Sequence, residues 1–275
     1  MKTVVITGAS SGIGLATTEA CIKAGHRVFA TARKAEDLEK LNALGASAVF
    51  MELTDKASVE AAADEILAKS DKHINALFNN AGYGLQLAME DAGWDELAEQ
   101  HITNVIGPIH LSNRLLPAMP KGSKLIFNSS ILGLITVAFR GPYCMSKYAL
   151  EAAADAYRLE LESAGIDVHV IQPGPIEADF RQRTWQELQK TLDPDNTRLD
   201  YSEHITRLTN PGVSPGTLPA DSCATIVLGM IEGSHRKNRY LITGIAKKAA
   251  IAKRVLGTAF HKVARKAEPV RVRSK

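Results

Sequence analysis

Along this chain, short runs of β-branched and aromatic residues alternate with longer stretches whose apolar residues recur every three or four positions. The runs are TVVIT, RVFAT, ASAVFM, INALFN, KLIFNSS, DVHVIQ and RYLIT. They are mostly continuous in hydrophobicity, which predicts strands covered on both faces. The stretches between them predict helices over about residues 12–25, 35–44, 58–70, 94–117, 142–164 and 219–232. Parallel strands are joined by helical crossovers of one hand, so the pattern predicts an α/β fold built on a doubly wound, seven-stranded parallel sheet with helices on both faces.

Two regions break the rhythm. Residues 177–218 contain Pro194, Pro211 and Pro215 and no strand pattern, and they predict a long insertion with short helices. A segment of that length inside a compact domain is commonly an active-site lid. After residue 243 the chain turns basic, so a single domain over 1–243 is expected, followed by a tail over 244–275. From Arg236 to Lys275 there are 13 Lys and Arg against one acid, Glu268, a net of +12 in a chain whose total is +3. The tail places Ile245, Ala249, Ala252, Leu256, Ala259, Phe260 and Val263 at helical spacing among Lys247, Lys248, Lys253, Arg254, Lys262, Arg265 and Lys266. Such a basic amphipathic helix either makes peripheral contact with an anionic membrane or packs on its own domain or a partner subunit. It lacks the aromatic interleaving of a nucleic-acid surface, so no nucleic-acid partner is expected.

With 45% hydrophobic and 23% charged residues the composition is that of a soluble globular protein. No apolar stretch approaches the roughly 18 residues of a membrane span, and the N-terminal run is too short for a signal-peptide core. Cys21, Cys144 and Cys223 show no C-x-x-C spacing and the eight histidines are scattered, so no disulfide framework and no metal are expected. A reducing, cytoplasmic setting fits.

Gly8, Gly12 and Gly14 stand between the first run and the first helix. There glycines allow a tight turn, close approach of a pyrophosphate to the backbone and close helix packing. Alone they also fit a purely structural corner. Tyr143 and Lys147 lie four apart, on one helix face, where an ammonium favours phenolate and is expected to lower the phenol toward the range of a general acid/base. Ser130 ends the fifth run at the carboxyl edge of the sheet, where ligands bind, although a turn cap would equally use it. Asn104 falls inside a helical stretch that it disfavours. The second run ends in Ala32, Arg33 and Lys34. An acid is absent from the place where it would take a ribose 2′-hydroxyl, and Arg33 can grip a 2′-phosphate with a charge-assisted fork.

TGASSGIG, NNAG, Asn104 in HITNVIG, Ser130 in IFNSSILG, YCMSK and PGPI occur in the order and spacing of one family. Over residues 1 to about 243 the chain resembles the short-chain dehydrogenases/reductases. The resemblance implies a Rossmann-type fold and an NADP(H)-dependent oxidoreductase that interconverts a carbonyl and an alcohol by hydride transfer. It implies Ser130 as the hydroxyl on the carbonyl oxygen, Tyr143 as proton donor, Lys147 as partner of phenol and nicotinamide ribose, and Asn104 as holder of a water linked to Lys147. Cofactor-binding positions are Gly8, Ser10, Ser11, Gly12, Ile13, Gly14, Arg33, Lys34, Glu52, Leu53, Asn80, Ala81, Gly82, Tyr143, Lys147, Pro173, Gly174 and Ile176, with Glu52 and Leu53 facing the adenine. Ser11 departs from relatives that carry a second basic residue there. By position, Leu132, Leu134, Phe139 and Ile176 line the substrate, with Phe180 and Trp185 on the lid. Their apolar character favours a lipophilic aldehyde, ketone or steroid-like alcohol. The TARK and QPGPIEADF contexts resemble the branch of hydroxysteroid and retinol dehydrogenases and bacterial aldehyde reductases. The family commonly forms homodimers or homotetramers through the helices over 94–117 and 142–164. The alternatives are a non-catalytic NADP(H) sensor or a membrane-surface interaction protein; retention of Tyr143 and Lys147 speaks for the enzyme.

Overall fold

The computed structural model of the chain describes residues 1–177, 180–210 and 216–273. All seven runs are strands of one parallel sheet: β1 Thr3–Ile6, β2 Arg27–Ala32, β3 Ser47–Phe50, β4 Ala76–Asn79, β5 Lys124–Asn128, β6 Asp167–Gln172 and, last, Arg239–Leu241. The strand order is β3-β2-β1-β4-β5-β6 followed by Arg239–Leu241. Between β1 and β4 the order reverses, which opens a crevice at the carboxyl edge of the sheet.

Successive side chains of each strand leave the sheet on opposite faces. Val5, Phe29, Leu77, Leu125 and Phe127 meet one set of helices: α3 (Lys56–Lys69), α5 (Gly107–Leu115) and α6 (Gly141–Glu160). Val4, Ile6, Val28, Phe78 and Ile126 meet another: α1 (Gly12–Lys23), α2 (Ala35–Ala43) and, from the later chain, α9 (Asp221–Glu232). Cys21, Cys144 and Cys223 are free and buried in this frame. Among the described residues no helix is long and apolar enough to cross a membrane.

The helix expected over 94–117 is in fact three pieces. α4 (Trp94–His101) runs into a wide π turn at Ile102–Ile106 before α5, and a 3₁₀ turn at Leu116–Ala118 follows. Asn104 sits in the π turn and is buried, so the residue that disfavours a helix marks the place where its hydrogen-bond ladder slips.

The insertion over 177–218 opens and closes on a two-stranded clasp, β7 (Ile176–Glu177) with β8 (Leu218–Pro219). It carries α7 (Phe180–Thr191) and α8 (Ser202–Thr209), which pack through Leu188, Leu199, Tyr201 and Leu208 onto Leu85, Leu87 and Phe139. The strand Arg239–Leu241 is therefore β9 in chain order.

The basic tail is continuous with this fold. Thr243, itself buried, caps α10 (Gly244–Leu256) by accepting from the Ala246 N–H. The chain turns at Gly257 into α11 (Phe260–Ala267). Ala246, Phe260 and Ala264 are buried against Ile131 and Ile135, with Ala249 and Ala252 beside them. Of the positions assigned to the apolar stripe, Ile245, Leu256 and Val263 are left exposed, as are Ile251 and Val255. Beyond α11 the tail pairs with the lid: Leu199 bridges Val272, the Asp200 N–H donates to the Arg271 carbonyl, and the Arg273 N–H donates to the Arg198 carbonyl.

Candidate active site

The crevice begins at the turn after β1. Gly8 adopts φ +63°, a left-handed backbone, and a Cβ there would stand 2.7 Å from Ala81 Cα. A Cβ on Gly14 would stand 2.2 Å from the Gly8 carbonyl oxygen and 2.6 Å from Asn80 Nδ2. The turn is thus locked to the end of β4 at van der Waals distance. Thr7 Oγ1 accepts from the Asn80 and Ala81 N–H groups, each at 3.0 Å, and Asn80 Nδ2 donates to the Thr7 and Gly8 carbonyls. Ser11 is the N-cap of α1, yet its side chain caps nothing; Arg183 of the lid donates to its hydroxyl at 2.7 Å.

A polar chain runs from this turn to the proposed proton-transfer pair. Asn128 Nδ2 donates to Asn80 Oδ1 at 2.9 Å, and Lys147 Nζ donates to the Asn128 carbonyl at 2.7 Å. Lys147 then lies over the Tyr143 ring, 5.6 Å from its centroid. Both are buried. Asn128 was not singled out by the sequence reading, although a polar residue at the carboxyl end of a buried central strand was a usable signal.

Burial sets the acid–base character of the pair. It holds the Tyr143 phenol above its ordinary range, against the opposing hydrogen bond of the Ser130 side chain. It lowers Lys147 to about 8, against the opposing pull of Glu151. The expectation that Lys147 would depress the phenol is corrected: desolvation dominates at both groups, and the ammonium is turned to the Asn128 carbonyl. Tyr143 is thereby a protonated donor at neutral pH.

Ser130 is a turn cap close to the catalytic candidates. Its Oγ accepts from the Leu132 N–H at 3.1 Å and caps the turn Ile131–Gly133, and the same side chain pulls the Tyr143 phenol down against burial. Asn104 Oδ1 accepts from the Tyr83 N–H, and its Nδ2 donates to the Tyr83 carbonyl and to Ser146 Oγ. A Cβ on Gly82 would fall 2.8 Å from Asn104 Oδ1 and 3.9 Å from Lys147 Nζ, so these two side chains flank the same glycine. Ser146 and Tyr83, which hold Asn104, were also not anticipated.

Several cofactor positions take more definite form. Arg33 pairs with Glu52 at 3.0 Å, and the second Glu52 oxygen accepts from the Thr54 N–H. Despite burial, these bonds hold the Glu52 carboxyl below its usual range. In the structure it orients Arg33. Leu53 is 6% exposed, at the edge of the main core. Lys34 lies alongside Glu36 at 3.7 Å. Gly174 abuts Thr243, where a Cβ would meet Thr243 Oγ1 at 2.1 Å, and the neighbouring Pro173 carbonyl accepts from the Ile131 N–H. Ile176 lies in the clasp, and Ile13 packs against the core. Ser10, on the same turn as Gly8, is partly buried.

The substrate-lining set is divided. Phe180 reaches Tyr143, with ring centroids 5.8 Å apart, and covers Gly84. Leu132 and Leu134 pack with the tail helices. Trp185 packs in the lid cluster, as does Phe139, whose φ of +57° turns its ring onto Tyr201 and His204. Of these residues, Phe180 has a ring contact with Tyr143.

The crevice has the form of a dinucleotide cradle. Its glycine turn is backed by Asn80 with no room for side chains, and the Oδ1 of Asn128 is buried with no partner among the described residues. A family profile described as short chain dehydrogenase matches residues 2–189. The chain is similar to the "Uncharacterized oxidoreductase YbbO" of Escherichia coli K12, at 36% identity over 258 residues, covering 93% of this chain and 90% of that one. It is similar to the NADPH-dependent 3-dehydrocapnine reductase of Ornithobacterium rhinotracheale, at 34% identity over 76% of this chain and 75% of that one. Its fold resembles the crystal structure of a short-chain dehydrogenase from Streptomyces avermitilis, with a TM-score of 0.78, 26% identity and coverage of 97% and 98% of the two chains. Sequence, sheet order and crevice agree, and the chain belongs to the short-chain dehydrogenase family and is an oxidoreductase.

Proposed function

We propose that the chain reduces a lipophilic aldehyde, ketone or steroid- or retinoid-like carbonyl to the alcohol, reversibly, with NADPH. The observation that carries this reading is the meeting of Ser130, Tyr143 and Lys147 at the carboxyl edge of the sheet. Bound in the crevice, the nicotinamide supplies the hydride. Ser130, which accepts from Leu132, keeps its own proton to donate to the carbonyl oxygen. Tyr143, kept protonated by burial, delivers its proton to the developing alkoxide. Lys147, held by the Asn128 carbonyl, stabilises the phenolate left behind and contacts the nicotinamide ribose. Asn104 holds Tyr83 and the loop beside Lys147, and a water kept there refills the proton.

Arg33 supports the choice of NADPH. It projects from the end of β2 with its side chain 68% exposed and aimed by Glu52, and the dehydrocapnine reductase is NADPH-dependent by name. NADPH oxidation measured against aliphatic aldehydes, retinoids, ketosteroids and quinones tests the reading. The expected result is turnover of at least one class by the natural chain and its loss in Tyr143→Phe, with NADPH affinity kept. Full activity in Tyr143→Phe would refute the proton-donor role, and binding without turnover of any class would favour the sensor.

Two further parts belong to this proposal. Trp94, Ile106, Met145, Tyr148 and Leu159 are exposed on α4, on α6 and at the π turn, which suits a homodimer or homotetramer through those faces; sedimentation velocity reads it. Ile251 and Val255, 63% and 77% exposed beside Lys247, Lys248 and Arg254, suit peripheral contact with an anionic membrane surface. Co-sedimentation with anionic vesicles should fall when both are replaced by Asp; equal sedimentation would refute the contact.

A further inference from the structure

Arg183 is exposed on the lid helix α7, yet its guanidinium crosses to the glycine turn and donates to Ser11 Oγ at 2.7 Å. The two residues are 172 apart in sequence. Among the described residues no carboxylate pairs with Arg183, whereas Arg33 at the neighbouring strand end is paired with Glu52 at 3.0 Å. Its one polar partner is a hydroxyl at the N-cap of α1, which leaves the donors of a charged, planar group turned toward the end of a helix whose N–H groups favour anions. Three residues earlier on the same helix, Phe180 covers Tyr143. One turn of α7, a rise of about 5 Å, therefore separates a ring at the reacting end from a cation at the glycine turn.

We infer that Arg183 clamps the pyrophosphate of the bound dinucleotide, so that lid closure and cofactor binding are one event. The inference rests on the nicotinamide-dinucleotide reading of the crevice. The spacing selects the pyrophosphate over the 2′-phosphate: along an extended dinucleotide the pyrophosphate is the phosphate nearer the nicotinamide, while the 2′-phosphate lies beyond the adenosine ribose, on the side of β2 and Arg33. A charge-assisted contact of this kind is worth about tenfold to a hundredfold in affinity.

The test is equilibrium binding of NADPH and of NADH to the full chain and to Arg183→Gln, by titration calorimetry, with amide exchange of residues 180–191 followed with and without nucleotide. Arg183→Gln should weaken both nucleotides by about tenfold or more and remove the protection that either gives to α7, and Arg183→Lys should restore part of the affinity. Affinities unchanged for both nucleotides would overturn the clamp, as would a loss confined to NADPH, which would assign Arg183 to the 2′-phosphate. A natural chain that bound neither nucleotide would bring down the reading of the crevice and the clamp together, whereas unchanged binding in Arg183→Gln brings down the clamp alone.

Discussion

The two sides of the crevice are built by different means. On one side the glycine turn, Asn80 and Asn128 hang from adjacent strand ends placed by the backbone ladder of a parallel sheet, and Lys147 of α6 bonds to the Asn128 carbonyl. On the other, the lid is held by contacts between distant parts of the chain. Glu268 at the end of the tail is buried and bonds to His204 of α8 at 2.9 Å, to Arg207 at 3.3 Å and to Arg140, just before the helix of Tyr143, at 3.4 Å. Sheet geometry tolerates little displacement, whereas a lid held by side-chain packing on Leu85, Leu87 and Phe139, by Glu268 and by a short bridge can move. The fixed side suits the cofactor, and the adjustable side suits closure over cofactor and substrate together.

Gly14→Val should break the fixed side most completely. Its Cβ would fall on a backbone oxygen, which cannot yield as a flexible side chain can. Loss of measurable NADPH binding in calorimetry, with a lowered melting temperature, is expected. Arg33→Asp should leave the fold intact and reduce the ratio of NADPH to NADH efficiency by about tenfold to a hundredfold; an unchanged ratio would refute the 2′-phosphate role.

Glu268→Gln addresses the adjustable side alone. Amide exchange over 202–209 is expected to quicken by about tenfold while that of β4 and β5 stays the same. Burial alone would raise the Glu268 carboxyl, but its bond with His204 and the charges of Arg140, His204 and Arg207 hold it below the ordinary 4.5. The unfolded chain therefore takes up the proton first, and the contribution of Glu268 to stability is present above about pH 4.5 and lost as pH falls below it. The natural chain should lose lid protection on acidification in a step that Glu268→Gln lacks.

A further effect concerns Lys147. Folded, it titrates at about 8, against 10.5 when free of the fold. Between these values the unfolded state binds more protons, so this group's contribution to stability rises with pH across that window. Urea midpoints of the natural chain and Lys147→Met, compared at pH 8 and pH 10, should diverge in that sense.

The fixed side was largely legible in the sequence. Apolar runs gave all seven strands, and residues whose roles depend on a strand end or one helix turn, such as Gly8, Ser130, Tyr143 and Lys147, could be located by spacing. Asn128 escaped because its role is a carbonyl and an amide directed at neighbouring strands, which periodicity does not encode. The phenol's direction of shift escaped because it depends on burial, a property of the assembled core. On the adjustable side local pattern failed more often. Phe139 and Leu132 are apolar in the right stretch, but their partners, Tyr201 and the tail helices, come from far along the chain. Glu268 read as a lone acid in a basic tail and is the residue that ties tail, lid and catalytic helix together.

That tie has a consequence for how the protein is made. Arg140 and Glu268 are 128 residues apart, and His204 and Glu268 are 64 apart. At ribosomal speeds, a chain emerging N-terminus first has its catalytic helix on the order of ten seconds before the carboxylate that braces it. In that interval the nascent sheet can already form while the lid has no strap, so nucleotide present during synthesis meets a finished cradle beneath an unlatched roof.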